Sequence, residues 1–200
     1  MNPIDFKFLP MILLENRNHE YNFCLEVLRL KQYQFLEFGV WEGKSINYFA
    51  KYLPKDKIIH GFDTFEGLPE AWDMGHKVIP KGYFKVNSLP KVEKNIILHK
   101  GLFHETIPKW KKIYDQPIGF INIDCDLYLS TKDVLFSLND LIIKDTMIRF
   151  DDFFHSPISP YPKWQEGSWK ALNEWVVEKN RLVYPIARSW KNGCTIFVEK

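Results

Sequence analysis

The chain has 200 residues, 46% of them apolar and 16% aromatic, which is enough for one compact domain with a buried core and too apolar for a disordered chain. Lys and Arg number 27 against 25 Asp and Glu, for a net charge of +2, and the cations are scattered instead of gathered in a stripe or tail, which argues against nucleic acid as a partner. Cys24, Cys125 and Cys194 lie far apart with no CxxC spacing, so neither a disulfide framework nor a structural zinc site is indicated, and reduced thiols in a cytoplasmic protein are expected.

In chain order, residues 1–32 read as an N-terminal helical cap and 33–200 as an α/β core, the whole of 1–200 forming a single domain. The early apolar run 8–14 is broken by Pro10 and lacks a small-residue cleavage site; it is too short for a membrane span, which needs about 20 apolar residues, and no signal peptide is expected. Tyr21, Leu25 and Leu28 mark one face of a helix ahead of the first strand. Short apolar runs at 34–38, 58–62, 96–99, 118–123 and 146–150 then alternate with helix-like stretches, the pattern of βαβ units. Most are continuously apolar, as strands covered on both faces should be. Arg149 interrupts the last of them, and the sequence offers no reason for it.

Helical spacing follows the first run at Ile46, Phe49, Ala50 and Leu53, and recurs at Val134, Leu135, Leu138 and Leu141 behind a start at Ser130, Thr131 and Asp133. Trp169, Leu172 and Val176 form a third stripe behind Gly167-Ser168, and strands at 182–187 and 194–198 close the chain as an antiparallel pair. The expected fold is a doubly wound, mostly parallel seven-stranded sheet with helices on both faces and the last strand antiparallel. Segments 66–89 and 153–167 fit no element and read as lids or binding loops.

Ligands of an open parallel sheet bind beyond the carboxyl ends of its strands. The first run ends Glu37-Phe38-Gly39-Val40-Trp41-Glu42-Gly43-Lys44-Ser45; the glycines permit a tight turn, and Ser45 with the free amides of a starting helix suits a carboxylate or phosphate. Asp63 ends the second run, at the distance of about 20 to 26 residues where an acidic side chain accepts hydrogen bonds from the ribose hydroxyls of an adenosyl ligand. Gly39-x-x-x-Gly43 lacks the second close glycine of a pyrophosphate site, so a nucleoside ending in a small carboxylate fits better than a dinucleotide. The fourth and fifth runs end in Asp124-Cys125-Asp126 and Asp151-Asp152. Neighbouring parallel strands would bring Asp124, Asp151 and Asp152 to one rim, where their repulsion is relieved by a hard cation such as Mg²⁺; Asp126 and Asp152 read alternatively as solvated or helix-capping groups. His104 and His155 lie near strand ends and are candidate proton acceptors.

On these residues the chain resembles the macrocin O-methyltransferase family of class I, S-adenosylmethionine-dependent enzymes. The likeness runs from about residue 35 to 152 through Glu37-Phe38-Gly39-Val40 with Gly43 and Ser45, Asp63-Thr64-Phe65-Glu66-Gly67-Leu68-Pro69, and Gly82-Tyr83-Phe84. It continues through Gly101-Leu102-Phe103-His104-Glu105-Thr106-Ile107-Pro108, Asp124-Cys125-Asp126-Leu127-Tyr128 with Ser130-Thr131, and Asp151-Asp152. The resemblance implies that Glu37, Phe38, Gly39, Val40 and Ser45 surround the methionine part of the cofactor. It also implies that Asp63 and Thr64, with Phe65 beside them, hold the ribose, and that Gly101, Leu102 and Phe103 lie by the adenine. Mg²⁺ is implied at Asp124, Asp151 and Asp152. Lys44 departs from the family, which often has glycine there.

The function expected is methyl transfer from S-adenosylmethionine to a hydroxyl of a small molecule, a sugar among the candidates, assisted by Mg²⁺. Asp124 would both bind the metal and act as, or orient, the base. Rival readings are a metal-independent N- or O-methyltransferase, a non-catalytic S-adenosylmethionine-binding protein and, more distantly, an NAD enzyme. The many Trp and Phe leave room for a homodimer.

Overall fold

A computed structural model describes residues 11–28 and 33–200; those parts of the expected 1–32 cap that fall on 1–10 and 29–32 lie outside the described residues. β1 (Ile12–Leu14) and α1 (Arg17–Leu28) lead into β2 (Gln34–Phe38), α2 (Lys44–Tyr52) and β3 (Ile59–Asp63). A short ribbon, β4 (Trp72–Asp73) with β5 (Val78–Ile79), precedes β6 (Ile96–Lys100) and α3 (Phe103–Lys111). Then come β7 (Ile118–Ile123), α4 (Tyr128–Ser137), β8 (Ile142–Phe150), α5 (Ser168–Glu178), β9 (Val183–Ser189) and β10 (Cys194–Val198).

The main sheet has eight strands in the order β1-β9-β10-β8-β7-β2-β3-β6. The seven expected strands are all present, and β10 runs antiparallel to both β8 and β9. The eighth, β1, joins the edge in parallel with β9; three residues are too few to show any periodicity, so the sequence hid it. Two helices also differ from expectation. α3 carries Pro108 in its interior, a residue that removes a helical N–H and so masked the element. α4 begins at Tyr128 with Leu127 as its cap, placing Ser130 and Thr131 inside the first turn instead of before it.

Alternation along the inner strands assigns each side chain to a face. Leu36, Phe38, Ile121, Ile148 and Phe150 pack with Trp110 of α3, Val134 of α4 and Leu172 and Trp175 of α5. Phe35, Phe120 and Met147 turn to the other face, against Tyr21 and Cys24 of α1 and Ile46 and Phe49 of α2. The three cysteines are free and buried. The two segments without predicted elements meet in a third cluster, in which Leu68, Trp72 and Met74 from 66–89 pack on Tyr161 from 153–167 and on Leu127; Trp72 Nε1 donates to Tyr161 Oη at 3.2 Å. Among the described residues no helix is long and apolar enough to cross a membrane. Trp110 and Trp175 are in the core while Trp41 and Trp190 are exposed.

One polar pair sits inside this packing. His60 on β3 is fully buried, with Nδ1 3.0 Å from His99 Nε2 and its ring 4.3 Å from that of Tyr114. Burial, and secondarily His99, lower its pKa from 6.5 to about 4. A group whose folded pKa is depressed in this way favours folding fully above pH 6.5 and ceases to do so as pH falls toward 4, a difference on the order of 3 kcal/mol. Urea midpoints should therefore fall steeply between pH 6.5 and 4 in the wild type and less steeply in His60→Phe; parallel declines would contradict this assignment.

Candidate active site

β2 lies between β3 and β7, the point from which strand order runs in opposite directions. A crevice opens there at the carboxyl ends of the strands, as expected of a doubly wound sheet. It holds a cavity of about 760 Å³, within the usual range of small-molecule sites.

The turn after β2 is shaped by close approach. Gly39 has φ 90°, and a Cβ there would stand 1.7 Å from the carbonyl oxygen of Asp124. The two strand ends are also bonded directly, Asp124 N donating to Phe38 O at 2.8 Å. α2 starts at Lys44 on a left-handed Gly43 with no side-chain cap, leaving its first amides open to an anion. Gly39, Val40 and Ser45 line the cavity. Glu37 and Phe38 do not: Phe38 faces the α3–α5 core, while Glu37 is buried and accepts Ser45 Oγ at 2.7 Å and Asn122 Nδ2 at 3.0 Å. Burial pushes the Glu37 carboxyl up to about 7 despite those two donors.

Asp63 reaches across to the same turn. Its Oδ2 accepts the amides of Val40 and Trp41, each at 2.8 Å, and Oδ1 accepts Phe65 N at 2.7 Å. One acceptor direction on Oδ1 remains for a ligand hydroxyl. Thr64 lines the cavity beside it, whereas Phe65 is buried on the α1–α2 face. Leu102 and Phe103 form part of the wall, and Gly101, at φ 143°, supplies the bend before them without facing the cavity.

On the opposite rim, oxygens of Asp124, Asp126 and Asp152 lie within 4.8 Å of one another. Burial, and then mutual repulsion, raise Asp124 and Asp126 well above the usual carboxylate range and Asp152 to about 6. Asp151 differs. Its Oδ1 accepts Arg149 Nη2 at 2.6 Å and its Oδ2 accepts Arg17 Nη2; burial raises its pKa, but the two guanidiniums outweigh that and hold it low. Asp151 thus lines the crevice as expected, while the third oxygen converging on Asp124 and Asp152 comes from Asp126.

His104 lines the cavity with Nδ1 3.4 Å from Asp133 Oδ2. His155 is exposed, outside the cavity lining, and accepts the amide of Tyr161 at 3.1 Å. Sequence reasoning gives Arg17, Tyr21, Trp41 and Trp72 no place at the site and reads Asp126 only as a solvated or capping group or as part of a motif, yet all five line the cavity. Only Asp126 carries a local signal, the alternate-residue spacing from Asp124. It adopts φ 62°, uncommon for a non-glycine residue and typical of functional turns.

Residues 36–153 match the family described as "Methyltransferase domain". The chain belongs to that family, and it is an S-adenosylmethionine-dependent methyltransferase. No curated protein matches it. Among solved structures it is similar to CalS11, a calicheamicin methyltransferase, at 21% identity and TM-score 0.71, covering 91% of this chain and 80% of that one. It is similar also to the O-methyltransferase NovP, at 19% identity and TM-score 0.63, over 92% of this chain and 80% of that one. MycE, a methyltransferase of the mycinamycin biosynthetic pathway solved with Mg and S-adenosylhomocysteine, shares 15% identity with TM-score 0.59, over 90% of this chain and 49% of that one. At these identities the likeness is one of fold.

Proposed function

We propose that this protein is an O-methyltransferase that moves the methyl group of S-adenosylmethionine to a hydroxyl of a small molecule, a sugar or comparable polyol, with Mg²⁺ assisting, as the likeness to the macrocin O-methyltransferase family suggests. The observation that carries the reading is the juxtaposition, in one crevice, of an anion-ready helix start and Asp63 with a rim where oxygens of three carboxylates gather within 4.8 Å of one another. The chain acts as one domain bearing both sites.

Gly39, Val40 and Ser45 contact the methionine end, with Glu37 and Phe38 supporting them from behind. Asp63 and Thr64 take the ribose over the buried Phe65, and Leu102 and Phe103, positioned by Gly101, cover the adenine. The rim fits a hard cation, because its donors are carboxylate oxygens already gathered at close range. Asp124 and Asp152 would hold Mg²⁺ with Asp126, whose oxygen gathers with theirs, while Asp151, a ligand on the family likeness, stands beside them with its Oδ2 on Arg17; bound there, the ion would lower the pKa of an acceptor hydroxyl.

Methyl transfer from a sulfonium needs little from the protein beyond alignment and removal of one proton. Holding acceptor oxygen, methyl carbon and sulfur in line contributes about 7 to 11 kcal/mol. The proton goes to Asp124 or to a group that Asp124 orients. Leu68, Pro69 and Trp72 of the 66–89 segment line the crevice, and Tyr161 of 153–167 packs against Leu68 and Trp72.

Turnover with methyl-labelled S-adenosylmethionine, run across a panel of glycosides, polyols and catechols, tests the reading. A labelled methyl ether, lost in EDTA and restored by Mg²⁺, is the expected product. Labelling unaffected by EDTA, or placed on nitrogen, would favour the metal-independent alternative; tight S-adenosylhomocysteine binding with no transfer to any acceptor would favour a non-catalytic binding protein.

A further inference from the structure

Arg149, the cation that interrupts the apolar run of β8, is 1% exposed and faces α1. Its Nε donates to Glu20 Oε2 at 3.0 Å, Nη1 to Asn122 Oδ1 at 2.8 Å and Nη2 to Asp151 Oδ1 at 2.6 Å. The guanidinium lies 4.7 Å from the centre of the Tyr21 ring. Asn122 passes the link to Glu37, which holds Ser45 at the start of α2; Glu20 is held from its other side by Thr195 Oγ1 at 3.1 Å. One planar fork therefore ties α1, the end of β7 and the end of β8 together and, through Asn122, the end of β2 and the start of α2, a three-way geometry that arginine supplies and lysine does not. Stability alone does not demand it, since an apolar side chain of like volume in place of a buried ion pair is often no worse.

We propose that Arg149 is a positioning residue for methyl transfer. By holding Oδ1 of Asp151 from within the core, while Arg17 holds Oδ2, it fixes the strand end that carries Asp152 to the carboxylate rim, and by holding the Asn122 carboxamide it fixes the Glu37–Ser45 link at the helix start. The cation end and the cofactor end of the site are thereby set by a single guanidinium. The inference rests on the proposed use of the crevice by a methyl donor and a divalent ion.

Mn²⁺ binding followed by electron paramagnetic resonance and S-adenosylhomocysteine binding followed by calorimetry test it on the folded full-length protein. Arg149→Lys keeps the charge and loses the fork; both dissociation constants should rise about tenfold, the usual scale for groups that orient metal ligands. Tyr21→Leu, which removes the ring beneath the guanidinium without stranding a charge, should weaken both about threefold, in keeping with a partly buried cation–π contact. Wild-type constants in Arg149→Lys, with only the melting temperature lowered, would reduce Arg149 to a structural role and overturn the proposal. Should Arg149→Lys fail to fold, unchanged constants in Tyr21→Leu overturn it equally. A wild-type protein that binds neither Mn²⁺ nor S-adenosylhomocysteine removes the reading of the crevice itself, and this inference with it.

Discussion

Asp124→Asn should lower methyl transfer by roughly 10²- to 10⁴-fold, the contribution typical of general acid–base catalysis, while making the metal-free protein more stable at neutral pH. The opposite signs have one cause. Asp124 stands among Asp126, Asp151 and Asp152 with its pKa well above the ordinary value because burial and neighbouring carboxylates penalise the anion. A folded carboxyl with a raised pKa opposes folding once pH exceeds its unfolded pKa, and that cost is present in full above the folded pKa. Asparagine removes the charge and with it the cost, so the thermal midpoint without divalent ions should rise; each 1 kcal/mol corresponds to about 2 to 4 °C for a chain of this length. Added Mg²⁺ should then stabilise the wild type more than the variant. Full turnover with unchanged metal dependence in Asp124→Asn would remove Asp124 from the reaction.

Gly39→Ala should cost more than about 3 kcal/mol, on the scale of the larger single-residue effects, and abolish cofactor binding. The added Cβ would lie 1.7 Å from a backbone oxygen of Asp124, and neither strand end has slack, because Asp124 N and Phe38 O are bonded across the same gap. Relief requires parting β2 from β7 at the floor of the crevice. Gly82→Ala is the control. Gly82 has φ 80° as well, yet its nearest contact, Glu66 O, is 4.0 Å from the same imagined atom, so it carries backbone strain alone, about 1 to 2 kcal/mol. Urea denaturation of the two variants with S-adenosylhomocysteine titrations should separate them; equal, small losses would show that the approach of Gly39 to Asp124 is not what shapes the site.

Much of this arrangement is legible in the residues because parallel strands buried on both faces leave uninterrupted apolar runs, and because a doubly wound sheet keeps its chemistry at the residues just beyond the carboxyl end of each run. Gly39, Asp63, Asp124 and Asp151 stand at such positions, and all four line the crevice. Periodicity also locates α2 from Ile46, Phe49 and Ala50, all buried. The features that escape are of two kinds. Local signals are too short or self-contradictory in β1, the β4–β5 ribbon and the Pro108-bearing α3. Pairings between distant parts of the chain leave no local trace at all. Arg149 can be flagged but not explained, since its partner Glu20 lies 129 residues away. For the same reason the commitment of Asp151 to Arg17, 134 residues distant, and the convergence of Asp126 on Asp124 and Asp152 emerge only from the fold. Glu37 and Phe65 show a further limit: a residue can belong to a motif because it supports the site from behind, and a linear pattern does not distinguish support from contact.

The proposed function requires one crevice to take the methyl donor and a divalent ion side by side. A crystal structure of the protein soaked with S-adenosylhomocysteine and Mn²⁺ tests it most directly. The expected result is the amino-acid end of the nucleoside at Gly39 and Ser45, its ribose at Asp63, and an anomalous manganese peak at Asp124 and Asp152. A nucleoside bound away from that turn, or manganese bound anywhere but the carboxylate rim, would contradict the account.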